Sequence, residues 1–478
     1  MNAKLLSSEQ SWDGFGLPQK LVDTLIKNDF KTPSVTQVAL YESLKDDAKR
    51  SGILEAPTGT GKTIAFVSHA LRQVDASRKI PQVVIFVHTQ ILGFQILHEV
   101  QKLEKQLDIT SSLLLGFNAN LSFNHNAHII VATPGAFVQN FLPKTSRGKT
   151  ETAKYKHDFS LIVLDEADYY WKDTNQREAM VRVFGDLNMC QVLLFSATLD
   201  EHVSKKLVQE WLKNQRNPFT VKKEVTLENT SHFFVDFRQN NESQKLDQLQ
   251  TIFDLDIYES GFKSIIFCKT RKQVDSTFQK IVELGYEASR YHGDMTQEER
   301  QVEYKKFLAG ETRVLITTDM LARGIDIVTI ALVINYEVPT EGPQGNEQVA
   351  TATYVHRIGR GGRFGRISVA ITFVSNDQDM SNMKEIQSYV DKRFNKSGII
   401  QEMKIGQISK TICEVFANQT AENEEHNDLA ILMTGAKGVS TNFKKRSVPN
   451  KSGSDSKKAE VEEAKAEIVN DDNEISFE

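Results

Sequence analysis

Three cysteines in 478 residues are too few for a disulfide framework, and no Cys/His cluster with metal-ligand spacing is visible. Cys190 and Cys268 lie beside or within apolar runs, where a small buried thiol is the expected state. No window approaches the roughly 20 uninterrupted apolar residues that a membrane helix needs. Met1 to Gln10 lacks the basic-then-apolar pattern of a secretory signal. These absences argue against a stapled secreted domain and a helical membrane protein. We expect a soluble intracellular chain, cytoplasmic or nuclear, with no membrane partner.

A basic excess is missing too. The formal charge is −5, and residues 419–478 alone hold 8 basic and 13 acidic residues, so the rest of the chain is close to neutral. A neutral body can still carry a local basic groove, so net charge neither supports nor excludes a nucleic-acid partner. After Gln419 the sequence is charged and nearly free of aromatics. Such a segment buries too little apolar surface to offset its ordering entropy and is expected to be disordered. Its clusters Lys444-Lys445-Arg446 and Lys457-Lys458 are read as solvated charge.

What is present is alternation. Between Trp12 and Pro218, helix-like stretches separate the apolar runs Val83–Val87, Ile129–Val131, Leu161–Leu164 and Val192–Phe195. Continuous apolar runs at that spacing predict buried parallel strands. The pattern pauses over Lys222–Thr230 and resumes with Ser264–Cys268, Arg313–Thr317, Ala331–Asn335 and Ser368–Val374. The expected organisation is an N-terminal tail (1–10), one α/β domain (11–221), a linker (222–230), a second α/β domain (231–418) and a disordered tail (419–478).

Ala56-Pro57-Thr58-Gly59-Thr60-Gly61-Lys62-Thr63 follows the apolar stretch Gly52-Ile53-Leu54 and precedes a helical pattern. That strand–loop–helix context is what a phosphate-binding loop requires. Gly59 and Gly61 let backbone N–H groups face phosphates, the helix N-terminus adds positive potential, and Lys62 reaches the outer phosphates. Thr58 and Thr60 complete the loop, and Thr63 is placed to ligate magnesium.

The run Leu161–Leu164 delivers Asp165 and Glu166 at a strand's carboxyl end, where ligands of open parallel sheets bind. Asp165 is the natural magnesium partner, directly or through water, and Glu166 is free to orient and deprotonate the attacking water. Ser196-Ala197-Thr198 follows the next strand and sets small hydroxyls beside the acidic pair.

One domain thus holds the nucleotide chemistry but shows no arginine finger for the transferring phosphoryl group. The segment His356-Arg357-Ile358-Gly359-Arg360-Gly361-Gly362-Arg363 supplies Arg360 and Arg363, three apart and able to face one anion. An Arg-Gly-rich run also suits a flexible RNA-contacting loop; the apolar Tyr354, Val355 and Ile358 favour the packed, finger-like reading.

In this order the motifs resemble the DEAD-box RNA helicases of superfamily 2, over about Trp12 to Val374. The resemblance implies two tandem RecA-like domains that ATP and RNA jointly close. It also implies ATP hydrolysis with magnesium, local RNA strand separation or ribonucleoprotein remodelling, and a monomeric enzyme. Upstream, Phe30 and Gln37 look like the family's adenine-reading motif, and Trp12 like its additional aromatic. By the same resemblance, Thr133, Pro134, Gly135, Gln297, Arg300, Thr318 and Gly324 take RNA-backbone positions, Asp326 contacts ribose or the attacking water, and Ser196, Thr198 and His356 couple the domains. Backbone-directed contacts imply little sequence specificity.

Three departures and one insertion matter. His88-Thr89-Gln90-Ile91-Leu92 stands where the family usually has Pro-Thr-Arg-Glu-Leu, removing a charge pair that braces the RNA loop. The usual Gly-Gly contact is reduced near Leu115-Gly116-Phe117, and Gly361 replaces a common threonine. The insertion Glu341–Val349 is longer than in translation-initiation members and is similar to the mRNA-export subgroup at the nuclear pore. That likeness implies helicase activators or nuclear-pore proteins as partners. An ATP-gated RNA clamp with weak unwinding and a translation-initiation-type helicase are the alternatives.

Overall fold

The structure, a computed structural model, describes residues 8, 10–116, 123–146, 149–223, 230–239, 242–255, 262–322, 330–342, 346–362 and 367–422. The expected disordered tail lies outside these residues except for its first four, which continue the helix Ile408–Glu422.

Two seven-stranded sheets carry the chain. The first runs in the order Ser111–Leu114, Ile129–Ala132, Val83–Phe86, Leu161–Leu164, Gln191–Ser196, Gly52–Glu55, Phe219–Lys222. Every neighbouring pair in it is parallel. The second runs Ala288–Tyr291, Val314–Thr317, Lys263–Phe267, Ile330–Asn335, Ser368–Val374, Thr230–Asp236, Ile400–Glu402, again all parallel. Lys222 and Thr230, read from sequence as linker, end a strand of one sheet and begin a strand of the other.

Continuous apolar runs suit these strands because helices cover both faces of each sheet. Side chains alternate across the pleat, so Val83, Ile85 and Val87 enter one core while Val84 and Phe86 enter the opposite one. Ile266 and Ile265 split likewise between the two cores of the second domain. Cys190 and Cys268 are buried. At the insertion, Thr340–Glu341 and Gln348–Val349 pair as a short antiparallel hairpin.

Parallel register brings the functional loops to one edge. Glu55 pairs with Ser196, and Leu164 with Leu194, so the chain leaves three adjacent strands at the same edge, Leu164 two residues short of the other two ends. The phosphate loop, Asp165 and the Ser196–Thr198 segment therefore emerge together.

Candidate functional site

The phosphate loop is shaped by two left-handed glycines, Gly59 (φ 79°) and Gly61 (φ 91°), a region that L side chains avoid. Gly61 caps the helix Lys62–Gln73 without a side-chain bond, leaving its first N–H groups for a ligand. A Cβ at Gly61 would lie 2.6 Å from Ser34 Oγ, so that residue also sets the approach of the upstream segment. Lys62 is buried, and its Nζ donates to the carbonyls of Ala56 (2.8 Å) and Pro57 (3.1 Å). Thr58, Gly59 and Thr63 are half-buried, whereas Thr60 is buried and shares a 2.8 Å hydrogen bond with Thr36.

Gln37 closes a capping box with Ser34 at the start of the helix Val35–Ser43. Its Oε1 accepts from Ser34 N (2.7 Å) and its Nε2 donates to Gly61 O (3.2 Å). An amide has two donors and two lone pairs, so one N–H and one lone pair remain for a base edge. Phe30 is half-buried, Lys102 Nζ lies 5.4 Å from its ring centre, and the buried Trp12 donates from Nε1 to Phe30 O at 2.8 Å. Gln37 and Thr36 are thus hydrogen-bonded to the phosphate loop, at Gly61 and Thr60.

The acidic segment sits at the end of Leu161–Leu164 with Asp165, Glu166 and Asp168 all buried. Glu166 adopts a left-handed conformation (φ 57°), strained for a residue with a Cβ, and its Oε2 has no hydrogen-bond partner among the described residues. Burial, and then the adjacent Glu166 carboxylate, push Asp165 up to about 7, against the pull of Lys62. A carboxylate so placed is held ionised by a cation, which makes this cluster a chemical fit for magnesium. Asp168 is committed elsewhere: it accepts from Ser196 Oγ (2.7 Å) and Thr198 Oγ1 (3.2 Å).

The second domain reaches this site. His356 Nε2 is 2.7 Å from Thr198 Oγ1 and 3.9 and 4.0 Å from Glu166 and Asp168 carboxylate oxygens. These three titratable side chains have ligand atoms within 4.8 Å of one another, but Asp168 and His356 already spend theirs on Thr198. Arg360, 1% exposed, donates to His356 O (3.1 Å) and to Thr58 Oγ1 (3.5 Å) of the phosphate loop. Arg363 and Asp326 lie outside the described residues.

Thr133, Gly135, Gln297, Arg300 and Thr318 keep solvent exposure, whereas Pro134 is buried at the start of the helix Pro134–Phe141; Gly324 lies outside the described residues. Arg300 is braced by Met320 Sδ at 3.9 Å and the Tyr291 ring at 5.9 Å. The altered segment is not idle: Thr89 caps the helix Gln90–Glu104, the His88 ring lies 4.5 Å from that of Tyr169, and Ile91 packs on a core cluster of the second domain.

Sequence reading assigned no role to Asp168, Arg357, Gln95, Tyr304 or Arg393. Arg357 is fully buried, donating to both oxygens of Asp319 (2.5 and 3.0 Å) and to Asn335 (3.1 Å), and it holds the arginine segment onto its own domain. Its adjacency to His356 was the available signal. Gln95, Tyr304 and Arg393 offered none, since their partners are 196 to 338 positions away.

Paired parallel-sheet domains, a glycine phosphate loop with a carboxylate at another strand end of the same sheet, and an arginine arriving from the other domain define a two-domain helicase-type ATPase. Residues 35–206 match the DEAD/DEAH box helicase family and residues 244–365 the helicase conserved C-terminal domain. Over 390 residues the chain is 35% identical to the ATP-dependent RNA helicase DBP5 of Saccharomyces cerevisiae, covering 80% of this chain and 76% of that one. It is 34% identical over 386 residues to eukaryotic initiation factor 4A of Drosophila melanogaster, covering 79% and 89%. The structure of S. cerevisiae Dbp5 bound to RNA and ADP BeF3 is similar with a TM-score of 0.71 at 32% identity, over 85% of this chain and 99% of that one. Variant Dbp5 bound to a Gle1 variant and IP6 is similar at 0.66 and 30%, over 86% and 100%. The chain belongs to the DEAD-box helicases, and it is an ATP-dependent RNA helicase.

Proposed function

We propose that ATP and RNA close the two domains of this helicase, and that closure assembles the hydrolytic site. The observation that carries this reading is the pair of contacts across the interface, Thr198 to His356 and Thr58 to Arg360. In this mechanism Phe30 and Gln37 read adenine, the loop Thr58–Thr63 binds the phosphates, and Asp326 completes the nucleotide contacts. Lys62, Arg360 and Arg363 stabilise charge on the transferring phosphoryl group, an effect worth about 10³ to 10⁵ for an arginine finger. Glu166 accepts the proton of the attacking water. Thr63 and Asp165 would hold magnesium, which neutralises phosphate charge and orients the terminal phosphate.

Ser196, Thr198 and His356 couple this chemistry to RNA held through Thr133, Pro134, Gly135, Gln297, Arg300, Thr318 and Gly324. Loss of the γ-phosphate lowers the advantage of the closed state and releases RNA. The cycle gives separation of short duplexes or remodelling of ribonucleoprotein by a monomer, without long-range translocation. The longer segment at the insertion and the Gle1-bound relative support a role of mRNA-export type, at the nuclear pore and in the cytoplasm, with protein activators. The altered segment His88–Leu92 favours a second reading, an ATP-gated RNA clamp with weak unwinding.

Glu166→Gln should retain ATP and RNA while turnover falls by at least two orders of magnitude; unchanged ATPase activity would sink the mechanism. Wild-type ATPase measured with RNA, with DNA and with neither separates an RNA-driven cycle from a general one. Release of a short RNA duplex separates helicase from clamp.

A further inference from the structure

A second buried cation crosses the interface. Arg393 is the last residue of the helix Asp377–Arg393, and its Nη2 donates to Glu55 Oε1 at 2.7 Å and to the backbone carbonyl of Ala197 at 2.6 Å. The Arg393 and Glu55 side chains are only 12% and 9% exposed. Both hydrogen bonds run from the second domain to the first.

Their position is what gives them meaning. Glu55 ends its strand immediately before Ala56 and Pro57, whose carbonyls hold Lys62. Ala197 lies between Ser196 and Thr198, the residues that engage Asp168 and His356. Glu55 and Ser196 are register partners on adjacent strands, and Ala56 N donates to Ser196 O at 3.0 Å. One guanidinium therefore sits on the seam where the phosphate loop and the coupling segment leave the sheet.

A buried, hydrogen-bonded charge pair is costly to break by removing one partner, because the other is left desolvated. In a pair split between two domains that cost falls on closure: with the domains apart, each group regains water. We propose that Arg393 is a positioning residue for ATP hydrolysis, clamping Glu55 and Ala197 so that the closed state fixes the phosphate loop and coupling segment together. This rests on the closure cycle described above and adds to it a residue that touches neither nucleotide nor RNA.

The test uses the full chain carrying a donor and an acceptor dye on the two domains, with ADP·BeF3 and a ten-nucleotide oligouridylate. Arg393→Met should lower the closed-to-open ratio by about 100-fold, in keeping with loss of one partner of a buried pair. The RNA-saturated kcat should fall in step, while affinity for fluorescent ADP without RNA and the melting temperature stay at wild-type values. Arg393→Lys should retain closure within about tenfold of wild type, and Arg393→Met/Glu55→Gln should close better than Arg393→Met, having no stranded carboxylate. Wild-type closure in Arg393→Met overturns the proposal, as does a parallel loss of ADP affinity and melting temperature, which would mark a merely structural role. A wild-type chain that closes without RNA-stimulated turnover contradicts the hydrolysis reading alone; one that never closes contradicts both.

Discussion

Gln95 of the first domain donates from Nε2 to the phenolic oxygen of Tyr304 in the second, at 2.8 Å. Ile91 lies one turn earlier on the same helix and packs on the second domain, and Arg300 lies one turn before Tyr304. The segment that lost the family's usual charge pair therefore touches the other domain directly, beside a residue expected to hold RNA phosphate. The two domains therefore make direct protein–protein contact along this helix.

That geometry sets a modest, measurable effect. A net hydrogen bond is worth about 1 kcal/mol, roughly fivefold in an equilibrium. Gln95→Ala and Tyr304→Phe should each raise the RNA concentration for half-maximal ATPase about fivefold, and the double variant should be little worse than either. Two full, additive effects in RNA titrations of the ATPase would show that the pair does not act as a unit.

Much of the site was legible because its chemistry is local. The loop ending in Lys62, the carboxylates after Leu164 and the hydroxyls after Phe195 each follow an apolar strand, so sequence places them at one sheet edge. Strands such as Ser111–Leu114, Ala288–Tyr291 and Ile400–Glu402 were not legible: they are short or polar and join the sheets only through distant partners. The interdomain contacts of Gln95, Tyr304 and Arg393 depend on how two finished domains meet, and no periodicity encodes that. Asp326 and Gly324 remain proposals from resemblance, and Arg363 remains one from its spacing to Arg360; all three lie outside the described residues.

Gly61 offers a sharper test of the phosphate loop. Its left-handed backbone costs an L residue about 1–3 kcal/mol, and a Cβ there would meet Ser34 Oγ at 2.6 Å and Gln37 Nε2 at 2.8 Å. Gly61→Ala should weaken ATP binding by about 10- to 100-fold, the damage reaching Ser34 and Gln37 as well as the loop. Equilibrium binding of a fluorescent ATP analogue measures it, and near-wild-type affinity would mean that the loop has another accessible shape.

The insertion hairpin carries a contact expected to matter little. Glu341 lies 3.7 Å from Lys172 of the first domain, with side chains 51% and 38% exposed. Exposed pairs at that separation contribute about 0–1 kcal/mol and are screened by salt. Glu341→Ala should leave RNA-stimulated ATPase within about twofold at 150 mM salt. A larger loss would assign the hairpin a direct part in closure.

His232 gives the second domain a pH dependence with a defined sign. It is buried on the strand Thr230–Asp236, and neither ring nitrogen has a hydrogen-bond partner among the described residues. Burial lowers its pKa to about 4, from 6.5 in the unfolded chain. Between those values the unfolded state binds a proton that the folded state refuses, so stability is complete above about 6.5 and is lost as pH falls towards 4. At pH 5 the loss is about 2 kcal/mol, from 1.36 kcal/mol per unit. His232→Leu should remove that part of the slope, so that its unfolding free energy changes about 2 kcal/mol less between pH 8 and pH 5 than that of the wild type. His69, which burial also lowers to about 4, keeps a parallel slope in the first domain. Denaturant unfolding at the two pH values decides the matter, and identical slopes for variant and wild type would place the proton elsewhere.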